Sequence, residues 1–467
     1  MSPRKASGRG QKTPHASRKS FTSSLGAPFR RLSLVFGSLK HTAEFTGMAD
    51  SKPEIVVPIR DAEKSASTEQ EINPWDVHAA HDEQGNILAF DYVAISQKWA
   101  TKLIDNDLLE RFERLTGHKP HRWLRRGLFF SHRDFDKILD KYEAGEPFFM
   151  YTGRGPSSDA LHLGHTIPFS FTKWLQDVFD VPLVRVTERK GYHSCGFDPK
   201  KTFIFSDLDY VKGHMLMNVW EFAKLITFNQ VRGAFGFNES TNIGRIMFPS
   251  VQCVASFATS YPEIWSDNPP ADRTKAIAKI PCLIPMAIDQ DPYFRLVRDN
   301  AHRMRYPSPK PALIHSKFLT ALQGAGGKMS ASDPNSAIFM TDTPNQIKNK
   351  INKHAFSGGR DTIEEHRRLG GNPDVDVSFQ YLSYFEEDDE KLKQIEESYR
   401  KGELLTGELK KMAITLLQEY VKDFQERRKQ VTDEVLKQYM TPRKLEWKGN
   451  PNPKPKPQKT KEKKNAK

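Results

Sequence analysis

Two short runs, at residues 148–165 and 324–332, hold the residue types that handling a nucleoside triphosphate requires. The first reads Phe148-Phe149-Met150-Tyr151-Thr152-Gly153-Arg154-Gly155-Pro156-Ser157-Ser158, then Leu161-His162-Leu163-Gly164-His165 and a helical stretch over Thr166–Phe179. The order is strand, glycine-rich turn, helix. In an open parallel sheet, ligands collect at the carboxyl ends of strands, where the next helix offers unpaired N–H groups and the positive end of its dipole to an anion. Gly153 and Gly155 let backbone approach a phosphate, and Gly164 leaves a flat surface for an adenine ring. His162 and His165 can each donate a hydrogen bond to α-phosphate oxygens as their charge grows, which is electrostatic stabilisation rather than acid–base work.

The second run is Gly324-Ala325-Gly326-Gly327-Lys328-Met329-Ser330-Ala331-Ser332. Its glycines suit a moving loop, Lys328 is a point charge for a leaving pyrophosphate, and Ser330 and Ser332 add small donors. It is not a Walker A loop, because Met329 follows the lysine. Alone, each run is weak: histidine pairs at this spacing are commonly structural, and a lysine among glycines is commonly just solvated. Together, one near the first strand of an α/β pattern and the other near its last, they are far more specific.

The elements that must position these runs follow from periodicity. Helical spacing dominates Asp107–Tyr142, and from Phe148 to Met340 short apolar runs alternate with helical stretches. Phe148–Tyr151, Pro182–Val186, Thr202–Phe205, Cys282–Ala287 and Ile338–Met340 read as buried strands. That alternation predicts an α/β domain around a parallel sheet. Beyond Asp342 no strand signal remains. Asp342-Thr343-Pro344 is a helix start, and Leu409, Met412, Ala413, Leu416, Leu417, Tyr420, Val421 and Phe424 share one face of a long helix. The expected organisation is a basic disordered extension (1–70), a helical extension (71–146), a catalytic domain (147–341), a helical domain (342–446) and a Lys/Pro-rich disordered tail (447–467).

Composition narrows the partners. The chain has 467 residues, and its net charge of +13 favours nucleic acid or another polyanion, although much of the excess lies in the two tails. No apolar run could span a bilayer, so no membrane partner is expected. Three cysteines, Cys195, Cys253 and Cys282, are too few and scattered for a disulfide framework or a zinc site, and point to a reducing compartment. His78 and His81 have ligand-like spacing but no nearby third ligand, so no metal site is expected. Residues 1–50 carry no carboxylate before Glu44 and include the amphipathic run Phe29–Phe36, a composition that organelle transit peptides use. Met48 could serve as a second start that omits it. The chain is expected in the cytoplasm, with a possible mitochondrial form from this extension.

The paired HxGH and KMSxS motifs mark class I aminoacyl-tRNA synthetases, and from about Trp123 to Lys444 the chain resembles the eukaryotic-type tryptophanyl-tRNA synthetases. The stretches that carry the resemblance are Leu124–Asp134, Tyr151–Ser158, Phe171–Asp177, Ala287–Tyr293, Lys328–Ser332, Asn352–Asp361 and Met440–Lys444. The resemblance implies a Rossmann-like parallel-sheet catalytic domain followed by a helical anticodon-binding domain, usually in a homodimer. It implies tryptophan, tRNA(Trp) and ATP with Mg2+ as substrates, the adenylate forming first and then passing tryptophan to tRNA. Tyr151 would bond the indole N–H, and Gln252 and Gln290 the ammonium group. Thr152, Gly153, Arg154, Gly155, His162, Gly164, His165, Lys328 and Met329 would hold ATP. Ala331, in place of the second lysine of the commoner KMSKS form, matches these relatives.

One departure stands out. After Val181-Pro182-Leu183-Val184 the family runs on through a polar stretch and a full helix before the equivalent of Cys195-Gly196-Phe197-Asp198, whereas here only Arg185–Ser194 intervenes. The segment Glu188–Lys201 must join two expected parallel strands, and it holds Gly191, Gly196 and Pro199 without an apolar stripe. Such a crossover needs a dozen or more residues and normally a helix. By resemblance the missing piece carries a glutamine partner for the indole and an acidic residue for the ammonium, so weak tryptophan binding or inactivity is expected. Three other readings stay open: an inactive relative that binds only tRNA or protein, a tyrosine-specific synthetase, and a smaller nucleotidyltransferase. The last is disfavoured by the helical domain after Asp342.

Overall fold

The structure, a computed structural model, describes residues 70–74, 77–80, 88–153, 161–186, 196–266, 275–324, 327, 329–330 and 333–454. The leader expected in residues 1–50, with Met48, lies outside them. All described residues belong to one compact unit, Lys64–Lys467.

The sequence Phe-Met-Tyr-Thr-Gly at Phe149–Gly153 is apolar on both faces, as a strand covered by helices on each side must be. It forms β5 at the heart of a seven-stranded sheet. The strands, in chain order, are β3 (Lys102–Leu103), β4 (Phe129–Arg133), β5, β6 (Leu183–Val186), β7 (Thr202–Phe205), β8 (Cys282–Ala287) and β9 (Ala312–Ser316). A separate two-stranded ribbon pairs β1 (Glu71–Ile72) with β2 (Val77–His78). The sheet order is β3-β4-β9-β8-β5-β6-β7; β9 through β7 run parallel, and β4 and β3 complete one edge antiparallel. This is the Rossmann-like α/β arrangement expected.

Two apolar layers cover the sheet. One joins Phe112, Phe135, Phe171, Leu175 and Phe179 to Tyr381, Leu417 and Phe424 of the C-terminal helices. The other joins Tyr151, Val184 and Val186 to Phe222, Val254, Tyr293 and Phe294. Helices 344–354, 363–369, 377–385, 389–400, 406–429 and 433–440 form the C-terminal part, and no strand occurs there among the described residues. The first of them starts as the sequence predicts, with Thr343 as cap, Pro344 in the first turn and Gln346 closing a capping box.

Several boundaries differ from the sequence reading. The expected helical extension 71–146 supplies β3 and β4 to the main sheet, so residue 147 is not a structural border. Trp123 also ties this region to the C-terminal helices, its indole donating to the Tyr384 carbonyl at 2.6 Å, while Arg125 and Arg126 pair with Asp389. Ile338–Met340 is not a strand; Phe339 makes only an isolated bridge with His162. The start of the expected tail is fastened down instead. Lys448 and Gly449 donate backbone N–H groups to the Asp180 carbonyl, and Lys454 donates to that of Glu143.

Strands β6 and β7 are adjacent and parallel, with Leu183 opposite Thr202 and Val186 opposite Phe205. Only residues 187–201 connect them, of which 187–195 lie outside the described residues. The described remainder, 196–201, is a turn without a helix, held by the Asp198 N–H on the Gln176 amide oxygen and by Tyr439 on the Phe197 carbonyl.

Candidate active site

The parallel strands end at one cavity of about 540 Å³, lined by residues from the ends of β5, β8 and β9 and from the following turns. Every described residue that the sequence assigns to substrate or ATP lines it: Tyr151, Thr152, Gly153, His162, Gly164, His165, Gln252, Gln290 and Met329. Ser330 lies next to the wall and is fixed by mutual hydrogen bonds of 3.1 Å with Ser336. Arg154, Gly155, Lys328 and Ser332 lie outside the described residues. Lys328 is flanked by described neighbours, however, and buried Met329 reaches the same cavity as the histidines.

The histidine end is built at a helix start. Helix Leu163–Phe179 begins inside the HxGH motif, with His162 as its cap, rather than at Thr166. The backbone N–H of His162 donates to Nδ1 of His165 at 3.3 Å, which places the His165 proton on Nε2. The two rings lie 3.5 Å apart. A Cβ on Gly164 would sit 3.2 Å from the His162 ring, so the absent side chain is what admits this stacking. Leu163 donates to the Ile338 carbonyl and Met340 to that of Leu161, so the chain beyond KMSAS is stitched to the HxGH turn.

The opposite end is aromatic. Burial, reinforced by the Asp207 carboxylate, pushes the Tyr151 hydroxyl well above its ordinary pKa, while hydrogen bonding from Gln252 lowers it. The group stays protonated and can donate and accept at once. Gly153 is needed beside it: a Cβ there would lie 2.1 Å from Val186 Cγ1 and 3.0 Å from the Tyr151 hydroxyl. Val186, opposite Gly153 in the β5–β6 register, packs in the same cluster as Tyr151, so the strand position nearest that hydroxyl is apolar. Arg185 points to the other face, fully buried, its guanidinium 4.0 Å from the Phe169 ring. Cys253 and Cys282 are buried here too, and burial pushes both thiols well up, which leaves them unreactive. Cys195 lies outside the described residues.

Sequence reasoning missed part of the wall: Pro74, Phe248, Asp289, Tyr293, Phe294, and Ser316–Leu319. It also missed the buried cluster beneath. The Asp291 carboxylate accepts from Arg133 at 2.8 and 2.9 Å and from His315 Nε2 at 3.1 Å, and His315 Nδ1 meets the Ser131 hydroxyl at 3.0 Å. Asp291 directly follows Gln290, and His315 directly precedes Ser316, so this cluster fastens two parts of the wall. The sequence signals were Asp291 inside the Ala287–Tyr293 stretch and Ser131 and Arg133 inside Leu124–Asp134, none of which was marked as a cluster.

Comparison with known proteins agrees with this geometry. Residues 183–422 match the model of the class I tRNA synthetases for W and Y. The human cytoplasmic tryptophan–tRNA ligase is 52% identical over 423 aligned residues, covering 85% of this chain and 86% of the human protein. That of Schizosaccharomyces pombe is 53% identical, covering 81% and 99%. Among solved structures, the tryptophanyl-tRNA synthetase from Giardia lamblia superposes with a TM-score of 0.69 at 40% identity, covering 79% of this chain and all of that one.

The alignments also contain positions that this chain lacks. The S. pombe alignment has 403 positions but covers 81% of this 467-residue chain, about 378 residues, so about 25 positions are filled by the relative alone. With 52–53% identity over more than four fifths of each protein, this chain belongs to the tryptophan–tRNA ligases, the tryptophan-specific family of class I aminoacyl-tRNA synthetases.

Proposed function

We propose that the chain activates tryptophan with ATP and transfers it to tRNA(Trp), with reduced tryptophan affinity. The observation that carries this reading is the meeting of Tyr151, Gln252 and Gln290 with His162, Gly164, His165 and Met329 on one cavity. In the proposed reaction the tryptophan carboxylate attacks the α-phosphate in line, with pyrophosphate leaving, and the adenylate then passes tryptophan to the terminal ribose of tRNA. No covalent enzyme intermediate is needed, so positioning and charge stabilisation carry the rate. Tyr151 would accept the indole N–H, Gln252 and Gln290 would hold the ammonium group, and Thr152, Gly153 and Gly164 would frame the nucleotide. His162 and His165, with Lys328, Ser330 and Ser332, would face the phosphates. Arg154 and Gly155 would complete the turn beneath them.

Among the described residues no group of three or more His, Cys, Asp or Glu could hold a metal ion. Independently of that, Mg2+ would enter as part of the Mg-ATP substrate. Helices 344–440 would contact the anticodon, and the enzyme would work in the cytoplasm as a homodimer, with the extension at 1–50 serving any mitochondrial form. Dimerisation is supported by Leu208, Met217, Trp220, Phe228 and Ile243, large apolar side chains left 43–87% exposed on successive helices of residues 207–254.

Reduced affinity rests on the 187–201 connection and on apolar Val186 beside the Tyr151 hydroxyl. The test is tryptophan-dependent ATP–pyrophosphate exchange, with tyrosine as control. Exchange with tryptophan alone is expected, at a raised KM that falls when residues 187–195 are replaced by the corresponding segment of the S. pombe relative. Exchange with tyrosine alone would reject the specificity, and an unchanged KM in the chimera would reject the impairment.

A further inference from the structure

Lys317 is the cavity-lining lysine that neither motif accounts for. It follows β9 directly, its backbone N–H donates to the Leu128 carbonyl at 2.8 Å, and the adjoining Phe318 N–H donates to the Tyr92 hydroxyl at 3.0 Å. The main chain is thus held on both sides. Its side chain is half-buried, lines the cavity, and carries its ammonium 5.5 Å from the centre of the Tyr92 ring.

Among the described residues no carboxylate pairs with it. Two other partly buried lysines do find one: Lys350 meets Asp342 at 2.7 Å, and Lys201 meets Asp180; Lys410 instead donates to the Ala355 carbonyl at 3.0 Å. Burial consequently draws the Lys317 pKa below its ordinary value, with nothing opposing. A desolvated cation with only a ring face for company is costly, and such a group is retained where a ligand supplies the missing charge. The surroundings point to which ligand. Leu319, two residues on, lies 3.8 Å from where a Cβ on Gly164 would be, so this segment belongs to the HxGH side of the cavity rather than the Tyr151 side.

We infer that Lys317 binds a phosphate oxygen of the nucleotide, as a cationic contact additional to those of the HxGH and KMSAS motifs. The inference rests on reading the cavity as the ATP site. It would explain why the strand end is pinned at Lys317 and Phe318: a point charge on a flexible stem is useful only if its root is fixed.

Calorimetric titration of the full chain with ATP, adenosine and tryptophan separately tests it, comparing wild type with Lys317→Met and Lys317→Arg. Losing one charge-assisted contact should weaken ATP by about 10- to 100-fold in Lys317→Met. Adenosine and tryptophan should bind within about twofold of wild type, and Lys317→Arg should recover most of the ATP affinity. Equal ATP binding in wild type and Lys317→Met would overturn the inference, as would a parallel loss of adenosine or tryptophan. Failure of ATP to bind the wild type would instead sink the reading of the cavity itself.

Discussion

Replacing Asp291 with Asn removes one charge from the cluster beneath the cavity while keeping its shape. The carboxylate is fully buried and, among the described residues, is the only acceptor for Arg133 Nε, at 2.8 Å, and for His315 Nε2, at 3.1 Å. The Arg133 side chain is 12% exposed, so water cannot replace the lost partner. Breaking a buried pair from one side costs about 3–5 kcal/mol, and the amide oxygen of Asn recovers part of one hydrogen bond, leaving an expected loss of about 3 kcal/mol at pH 7. A urea titration should show a lower midpoint at unchanged slope. The pH dependence supplies a second reading. Burial raises the Asp291 pKa, but hydrogen bonds and charge from His315 and Arg133 outweigh it and hold the group well below the ordinary carboxylate range. Its contribution is therefore complete above the unfolded value of about 3.9 and shrinks by about 1.4 kcal/mol per pH unit below it. The gap between wild type and Asp291→Asn should narrow accordingly between pH 4 and pH 3. A loss under about 1 kcal/mol at pH 7, or a gap that ignores pH over that range, would refute the argument.

Two further expectations concern the site and the assembly. In Gly164→Ala the added Cβ would meet the His162 ring at 3.2 Å and displace it by a few tenths of an ångström, so KM for ATP should rise about tenfold in pyrophosphate exchange while KM for tryptophan holds, a cost in line with overpacking of about 1–3 kcal/mol. Trp220→Glu places a charge on the exposed apolar helices of residues 207–254, and light scattering should then report the 53.5 kDa monomer where the wild type gives twice that mass.

What the sequence made legible was what local chemistry encodes. The parallel strands β5 to β8 stood out because each is a short run dominated by apolar residues, and the capping pattern Thr343-Pro344 set the start of the first C-terminal helix. Strand β9, Ala-Leu-Ile-His-Ser, was missed because its His315 and Ser316 look like surface residues, although both are buried and His315 is bonded on both ring nitrogens. Strand β4 was missed for the same reason at Ser131 and Arg133. Polar groups that satisfy one another across strands leave no mark in periodicity. Ile338–Met340 erred in the other direction: it is buried, but its backbone meets the HxGH turn rather than a sheet neighbour. Lys317 was invisible in turn, since a single lysine means nothing until the strand before it and the cavity beyond it are known.

The fastening of residues 445–454 has a consequence for synthesis. Leu445 donates to the Ile264 carbonyl, Glu446 to Lys200, Gly449 to Asp180 and Lys454 to Glu143, so this late segment touches parts of the chain laid down as much as 311 residues earlier (454 less 143). A ribosome releases those parts first. The nascent nucleotide-binding region must therefore wait, incompletely girdled, until residues 445–454 have been synthesised, and a chain interrupted before residue 445 would release its earlier portion without those clasps.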